Sequence, residues 1–222
     1  MADIEKLNIV IADDHTLFRK GLITLLTDFN FVEKYSEVST GSGLIDLLGE
    51  ADFLPDLVLL DTNFQDMNGV EVLKKIRELY PQLKIIVLST NEEDQFILNM
   101  IENGVNGYLL KNCEPDELEK AIRMVTEKEY YFNYKTSELI RNAYLHMTDT
   151  GHNKNFNRQF TPRETEVLHL VCKEFTTQEI ARKLKVSPRT IETHRKNMIE
   201  KAGVKNLAGL ILFAIKHKLV EI

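Results

Sequence analysis

LNIVIADDH, residues 7–15, decides how the chain folds. The run from Leu7 to Ala12 is apolar apart from Asn8, as a strand covered on both faces would be. It ends in two adjacent carboxylates, Asp13 and Asp14. Like charges at the end of a buried strand cost free energy unless something offsets them.

Four more short apolar runs follow: Phe31–Val38, Leu57–Asp61, Lys84–Ser89 and Gly107–Lys111. Most lack strict alternation, which again fits parallel strands buried on both sides. Between them lie amphipathic stretches near residues 15–28, 41–50, 69–80 and 91–103, and a fifth follows at 115–128. Five strand–helix units predict an α/β fold, a doubly wound, five-stranded parallel sheet of about 120 residues. Ligands of such sheets bind beyond the carboxyl ends of the strands, so strand-end residues are candidate site residues.

Charge divides the 222 residues in the same way. Residues 1–128 hold 12 Lys+Arg and 24 Asp+Glu, a net of −12. Residues 158–222 hold 13 and 7, a net of +6, and residues 129–157 balance at 3 and 3. We therefore expect a first domain at 1–128, a partly helical linker at 129–157 and a basic domain at 158–222 able to approach a polyanion. In the linker, Ser137–Met147 has a helical pattern, whereas Thr148–Asn155 is polar and expected to be flexible. Cys113 and Cys172 are far apart, with no zinc-type cluster, and read as free thiols of a reducing compartment. The N-terminus does not read as a signal peptide, and no apolar run approaches the roughly 20 residues of a membrane span. A cytoplasmic protein with no membrane contact is expected.

The strand ends now account for the carboxylates. If the first and third strands are neighbours, Asp13, Asp14 and Asp61 meet at one edge of the sheet. Three carboxylates together call for a cation, and oxygen-only ligands favour Mg²⁺. Ser89 ends the fourth strand with a hydroxyl, and Lys111 ends the fifth with a point charge suited to phosphate. The set suits phosphoryl chemistry, with one carboxylate as nucleophile and Lys111 offsetting charge on the transferring group.

"IADDH", "LVLLDTNFQDMNG", "IIVLST" and "GYLLK" together resemble the flavodoxin-like receiver domain of two-component response regulators, over residues 7–125. The resemblance implies Asp61 as phospho-acceptor, with a sensor histidine kinase as donor. It implies that Asp13 and Asp14, with Asp61 and the backbone carbonyl of Asn63, hold Mg²⁺. Ser89 and Lys111 would bind phosphoryl oxygens, and Tyr108 would reorient with Ser89. Such a protein catalyses only its own phosphoryl transfer and slow autodephosphorylation, so it is not expected to be an enzyme in the ordinary sense. Phe64 and Gln65 depart from the Met-Pro pair common in that loop, which bears on phosphoryl lifetime and access rather than on the ligand set.

Past the linker come three helix starts in quick succession. Thr161-Pro-Arg-Glu164 and Thr176-Thr-Gln-Glu179 are capping boxes, and Ser187-Pro188 is a further cap. With a fourth helix from about Asn206 to Lys218 they predict a small all-α, four-helix domain. "EIARKL", "SPRTIETH" and "KAGV" resemble the LuxR-type helix-turn-helix of the NarL/FixJ response regulators. In the helix from Ser187, Ile191, Met198, Ile199 and Ala202 share an inward face, with His194 on the same side as a packing residue. Arg189, Thr190, Arg195 and Lys201 are candidates for DNA phosphates, while Thr193, Lys196 and Asn197 are better placed for base edges. Glu192 is awkward beside phosphates, although it could accept from a cytosine amino group.

The last helix is apolar nearly all round. Leu207, Leu210, Ile211, Ala214 and Ile215 supply a core stripe, leaving Leu212 and Phe213 outside it. The expectation is a homodimer in the active state, built on Leu207, Leu210, Ile211, Leu212 and Phe213. The function expected is phosphorylation-controlled binding of double-stranded promoter DNA. Two other readings stay open: a receiver-controlled module that binds protein, and a phosphatase with an aspartate nucleophile.

Overall fold

The structure, a computed structural model, describes residues 6–50, 54–147, 160–173, 175–217 and 219–220. The first half alternates as expected: β1 (Leu7–Ala12), α1 (Thr16–Asp28), β2 (Val32–Val38), α2 (Gly41–Gly49), β3 (Leu57–Asp61), α3 (Gly69–Leu79), β4 (Lys84–Ser89), α4 (Asp94–Glu102), β5 (Gly107–Leu110) and α5 (Pro115–Lys128). The sheet is parallel throughout, in the order β2-β1-β3-β4-β5.

That order makes β1 and β3 neighbours, with Ala12 opposite Leu60, so Asp13, Asp14 and Asp61 emerge side by side. Alternate residues feed two cores. Val10, Val58, Leu60, Ile85 and Val87 line one face; Ile9, Ile11, Leu57, Leu59 and Ile86 line the other. All ten are at most 1% exposed, which explains why these strands show no polar alternation. Gly69 starts α3 where the chain passes closest to the site loop. A Cβ there would lie 2.6 Å from the Thr62 Cα, so only glycine fits.

The linker is built into the fold more than its sequence shows. Tyr131 pairs with Gly107 at the start of β5, its amide donating to the Asn106 carbonyl at 2.8 Å. α6 then spans Tyr134–Met147, one turn longer than the Ser137 start expected, because Asn133 caps it through the Thr136 amide at 2.9 Å. The stretch Thr148–Asn155, expected to be flexible, lies outside the described residues.

Four helices follow: α7 (Pro162–Cys172), α8 (Thr177–Leu184), α9 (Pro188–Ala202) and α10 (Leu207–Lys216). The three caps are where the sequence puts them, with Thr161 and Thr176 closing full capping boxes and Ser187 capping α9. Asn206 adds a fourth, accepting from the Gly209 amide. Phe160, Val167, Leu168, Ile180, Ile191, Met198, Leu207 and Leu210 form this bundle's core.

α10 also packs against α4 and α6, and Leu212, 4% exposed, joins the core formed by Ile97, Met100 and Ile140. Leu207, Leu210 and Ile211 are buried and Phe213 is half-buried against Phe160. Of the two residues expected to be spare on this helix, Leu212 is covered by the chain's own α4 and α6, and Phe213 packs on Phe160. Two polar contacts reinforce the docking. Asn206 Nδ2 donates to the Gly104 carbonyl, and Arg195 pairs with Glu129 at 2.5 Å.

Both contacts rest on Arg77, a buried cation near the amino ends of β4 and β5. Its guanidinium donates to the Gly104 carbonyl (3.0 Å), the Leu83 carbonyl (2.5 Å) and Asn106 Oδ1 (3.0 Å). Burial lowers its pKa to about 10. Asn106 in turn donates to the Glu129 carbonyl at 2.7 Å, fixing Glu129 in a left-handed turn at φ 72°.

Candidate phosphoryl site and nucleic-acid interface

The carboxyl edge of the sheet gathers the expected residues. Asp13 and Asp61 are 1% and 2% exposed, and Asp14 is half-buried beside them. Lys111, one residue beyond β5, places its ammonium 2.8 Å from Asp13 Oδ2 and 2.9 Å from Asp61 Oδ2. Burial raises the Asp61 carboxyl pKa, and Asp13 adds repulsion, outweighing the hydrogen bonds from Lys111 and the Thr62 amide that lower it.

The set passes a test for a divalent cation. Asp13 Oδ2, Asp14 Oδ1 and Asp61 Oδ2 are buried without a directed hydrogen bond, although Lys111 or His15 stands at ion-pair distance from each. Unsatisfied buried carboxylate oxygens are costly, and converging ones are what a hard cation needs. Asn63 lies on the adjacent loop, bridged to Asn68.

Ser89 is fully buried, and two groups missed in the sequence hold it. Its hydroxyl lies 2.7 Å from Thr62 Oγ1 and accepts from the Asn91 amide at 3.0 Å. Tyr108, 1% exposed, donates its phenol to the Asn91 carbonyl at 2.7 Å. Ser89 and Tyr108 thus meet through Asn91. Thr62 adjoins Asp61 in sequence, which was the only available signal for it.

His15, the residue after the acidic pair, also faces the cluster. Its Nδ1 lies 2.8 Å from Asp14 Oδ1, 3.5 Å from Asp13 Oδ1 and 3.7 Å from Asp61 Oδ2. Asp66, in the loop that departs from the common pattern, caps α2. It accepts from the Gly41 and Ser42 amides and the Ser42 hydroxyl, at 2.7–3.0 Å. These bonds bring its carboxyl pKa down to about 2.

On the basic domain, Arg189, Glu192, Thr193, Lys196 and Asn197 are exposed along α9, as the periodicity predicts, and His194 is half-buried. Thr190 is half-buried, its hydroxyl 2.8 Å from that of Ser187. Two expected phosphate contacts are placed otherwise. Arg195 is buried, held by the Thr177 hydroxyl and Glu129, because it follows Ile191 by one turn and shares its inward face. Lys201 pairs with the buried Glu164 at 2.7 and 2.8 Å. Burial would raise the Glu164 pKa, but Lys201 and the Thr161 cap prevail and lower it.

A parallel α/β domain with an acidic strand-end pocket, joined to a basic capped helical bundle, defines a signal-controlled regulator with receiving and output halves. Residues 9–123 match the family "Response regulator receiver domain" and residues 158–214 match "Bacterial regulatory proteins, luxR family". The oxygen regulatory protein NreC of Staphylococcus aureus is 31% identical over 218 residues, 97% of this chain and the whole of the relative. The response regulator RcsB of Salmonella typhimurium has a similar structure, with TM-score 0.57 and 27% identity over 94% of this chain and 97% of that one. RcsB of Salmonella enterica serovar Typhimurium, solved on promoter P1flhDC with the phosphomimetic BeF3⁻, gives the same score and identity over 96% and 99%. The chain belongs to the two-component response regulators of the NarL/FixJ type, in which a receiver governs a LuxR-type DNA-binding domain. That assignment replaces the protein-binding and phosphatase readings. Among the described residues no helix is long and apolar enough to cross a membrane.

Proposed function

We propose that Asp61 takes a phosphoryl group from the phosphohistidine of a sensor kinase, and that this event controls docking of the basic domain. Asp61 Oδ2 forms the new P–O bond as the P–N bond of the donor breaks. Asp13, Asp14, Asp61 and the Asn63 carbonyl would hold Mg²⁺, whose charge would offset that of the transferring group. Lys111, already 2.9 Å from Asp61, takes one phosphoryl oxygen, and Ser89 turns from Thr62 to take another. Hydrolysis of the acyl phosphate is the only other reaction expected of this site.

Promoter DNA is read by the exposed face of α9, with Lys196, Asn197, Thr193 and Glu192 toward the bases and Arg189 and Thr190 toward phosphates. Arg195 and Lys201, both paired within the chain, join the phosphate contacts only if released. The recognition face is open, whereas the apolar face of α10 is covered. Control therefore acts on dimerisation: phosphorylation frees α10 from α4 and α6, and two copies pair through it on DNA. The expected compartment is the cytoplasm.

The observation that carries this reading is the convergence of Asp13, Asp61 and Lys111 within 2.9 Å contacts at the strand ends. Labelling with a radioactive small-molecule phosphodonor tests it: Asp61→Asn should take up no label. Uptake equal to the unaltered protein would move the acceptor elsewhere. Selection from random duplex DNA, with and without BeF3⁻, should enrich one sequence, more strongly with the mimic.

A further inference from the structure

We propose that His15 is a nitrogen ligand of the cation site, so that this receiver holds borderline divalent cations such as Co²⁺ more tightly than three carboxylates alone would. The proposal rests on the reading of Asp13, Asp14 and Asp61 as that site.

The geometry is specific to one ring atom. His15 Nδ1 stands 2.8, 3.5 and 3.7 Å from oxygens of Asp14, Asp13 and Asp61, and one donor atom from each of the four side chains falls within 4.8 Å of the others. Ligands about 2.1 Å from a common ion lie roughly 3.0 Å apart at right angles and roughly 4.2 Å apart when opposite. Each His15 separation is within or at the edge of that range. Two of the carboxylates, Asp13 and Asp61, are at least nine-tenths buried and each presents an oxygen without a directed hydrogen bond.

His15 is also placed for this use by the backbone. It stands at the N-cap of α1 in an extended conformation, yet its side chain makes no capping bond. Its amide donates to Asp13 Oδ1 at 2.8 Å, which fixes the residue against the cluster and leaves the ring to face it. The ring remains 64% exposed on its outer side, so a cation could arrive past it.

Chemistry then sets the preference. Carboxylate oxygens suit Mg²⁺ and Mn²⁺, whereas an imidazole nitrogen favours the later ions such as Co²⁺, Ni²⁺ and Zn²⁺. Replacing the nitrogen should cost the borderline ions more than Mg²⁺.

The test uses the full-length chain with Mn²⁺, Co²⁺ and Mg²⁺ as probes. Pulsed electron paramagnetic resonance of bound Mn²⁺ should show coupling to an imidazole nitrogen, absent in His15→Asn. Titration should show the preference for Co²⁺ over Mg²⁺ falling about tenfold in His15→Asn. Bound Mn²⁺ without nitrogen coupling in the unaltered protein overturns the ligand role and leaves the carboxylate site standing. So does a preference unchanged in the variant. If none of the three ions binds the unaltered protein, the cation-site reading falls and the proposal with it.

Discussion

Arg195 on α9 and Glu129, just past α5, form a 2.5 Å ion pair that joins the DNA-binding bundle to the receiver. The arginine side chain is 8% exposed and the glutamate 41%, so solvent screens the pair only in part. A pair of this kind contributes about 1 kcal/mol.

Glu129→Gln should therefore shift the chain toward undocked forms by roughly fivefold. Small-angle scattering should show a larger radius without phosphorylation, and DNA affinity should rise by a similar factor. Unchanged scattering would mean that apolar contacts at Leu212 alone hold the domains together.

Thr62 and Ser89 share a buried hydrogen bond of 2.7 Å. Ser89 must give up that partner to reach a phosphoryl group on Asp61. Thr62→Val removes the competitor, worth about 1 kcal/mol. BeF3⁻ binding measured by calorimetry should tighten by about fivefold, and weaker binding would show that Thr62 instead orients Ser89 toward the ligand.

Asp66 is ionised in the folded chain down to about pH 2, because the Ser42 amide and hydroxyl and the Gly41 amide all donate to it. A carboxyl whose pKa is depressed on folding stabilises the fold above its unfolded pKa and loses that effect as pH falls through the folded value. The Tm deficit of Asp66→Asn should be full at neutral pH, shrink below about pH 4 and vanish near pH 2. A deficit that persists unchanged into acid would trace to lost packing.

Lys196 is exposed, and Glu200 lies 4.0 Å from its ammonium. Lys196→Ala should weaken promoter binding without changing thermal stability by more than about 0.5 kcal/mol. If it touches a phosphate, the slope of log affinity against log salt falls by about 1 and all sequences weaken alike. If it reads a base, the slope holds and one position of the site loses specificity.

The sheet and the acidic site were legible because strands buried on both faces read as unbroken apolar runs, and each functional strand ends at a polar residue. Caps made the helical domain legible by the same local logic. What escaped depended on neighbours distant in sequence. Arg195 has the charge of a DNA contact, and that charge hid the inward spacing it shares with Ile191. Leu212 looked spare because α4 and α6 are invisible from within α10. Thr62 and Arg77 act on Ser89 and on Gly104, each 27 residues away, so no local pattern could announce them.

α4 is a short strut clamped at either end by carbonyls. Tyr108 grips the Asn91 carbonyl ahead of it, and Arg77 and Asn206 grip the Gly104 carbonyl behind it. Its nine residues measure roughly 14 Å. The neighbourhood of Ser89 and the Asn206 clasp are thus tied to opposite ends of one helix, with no strand in the connection.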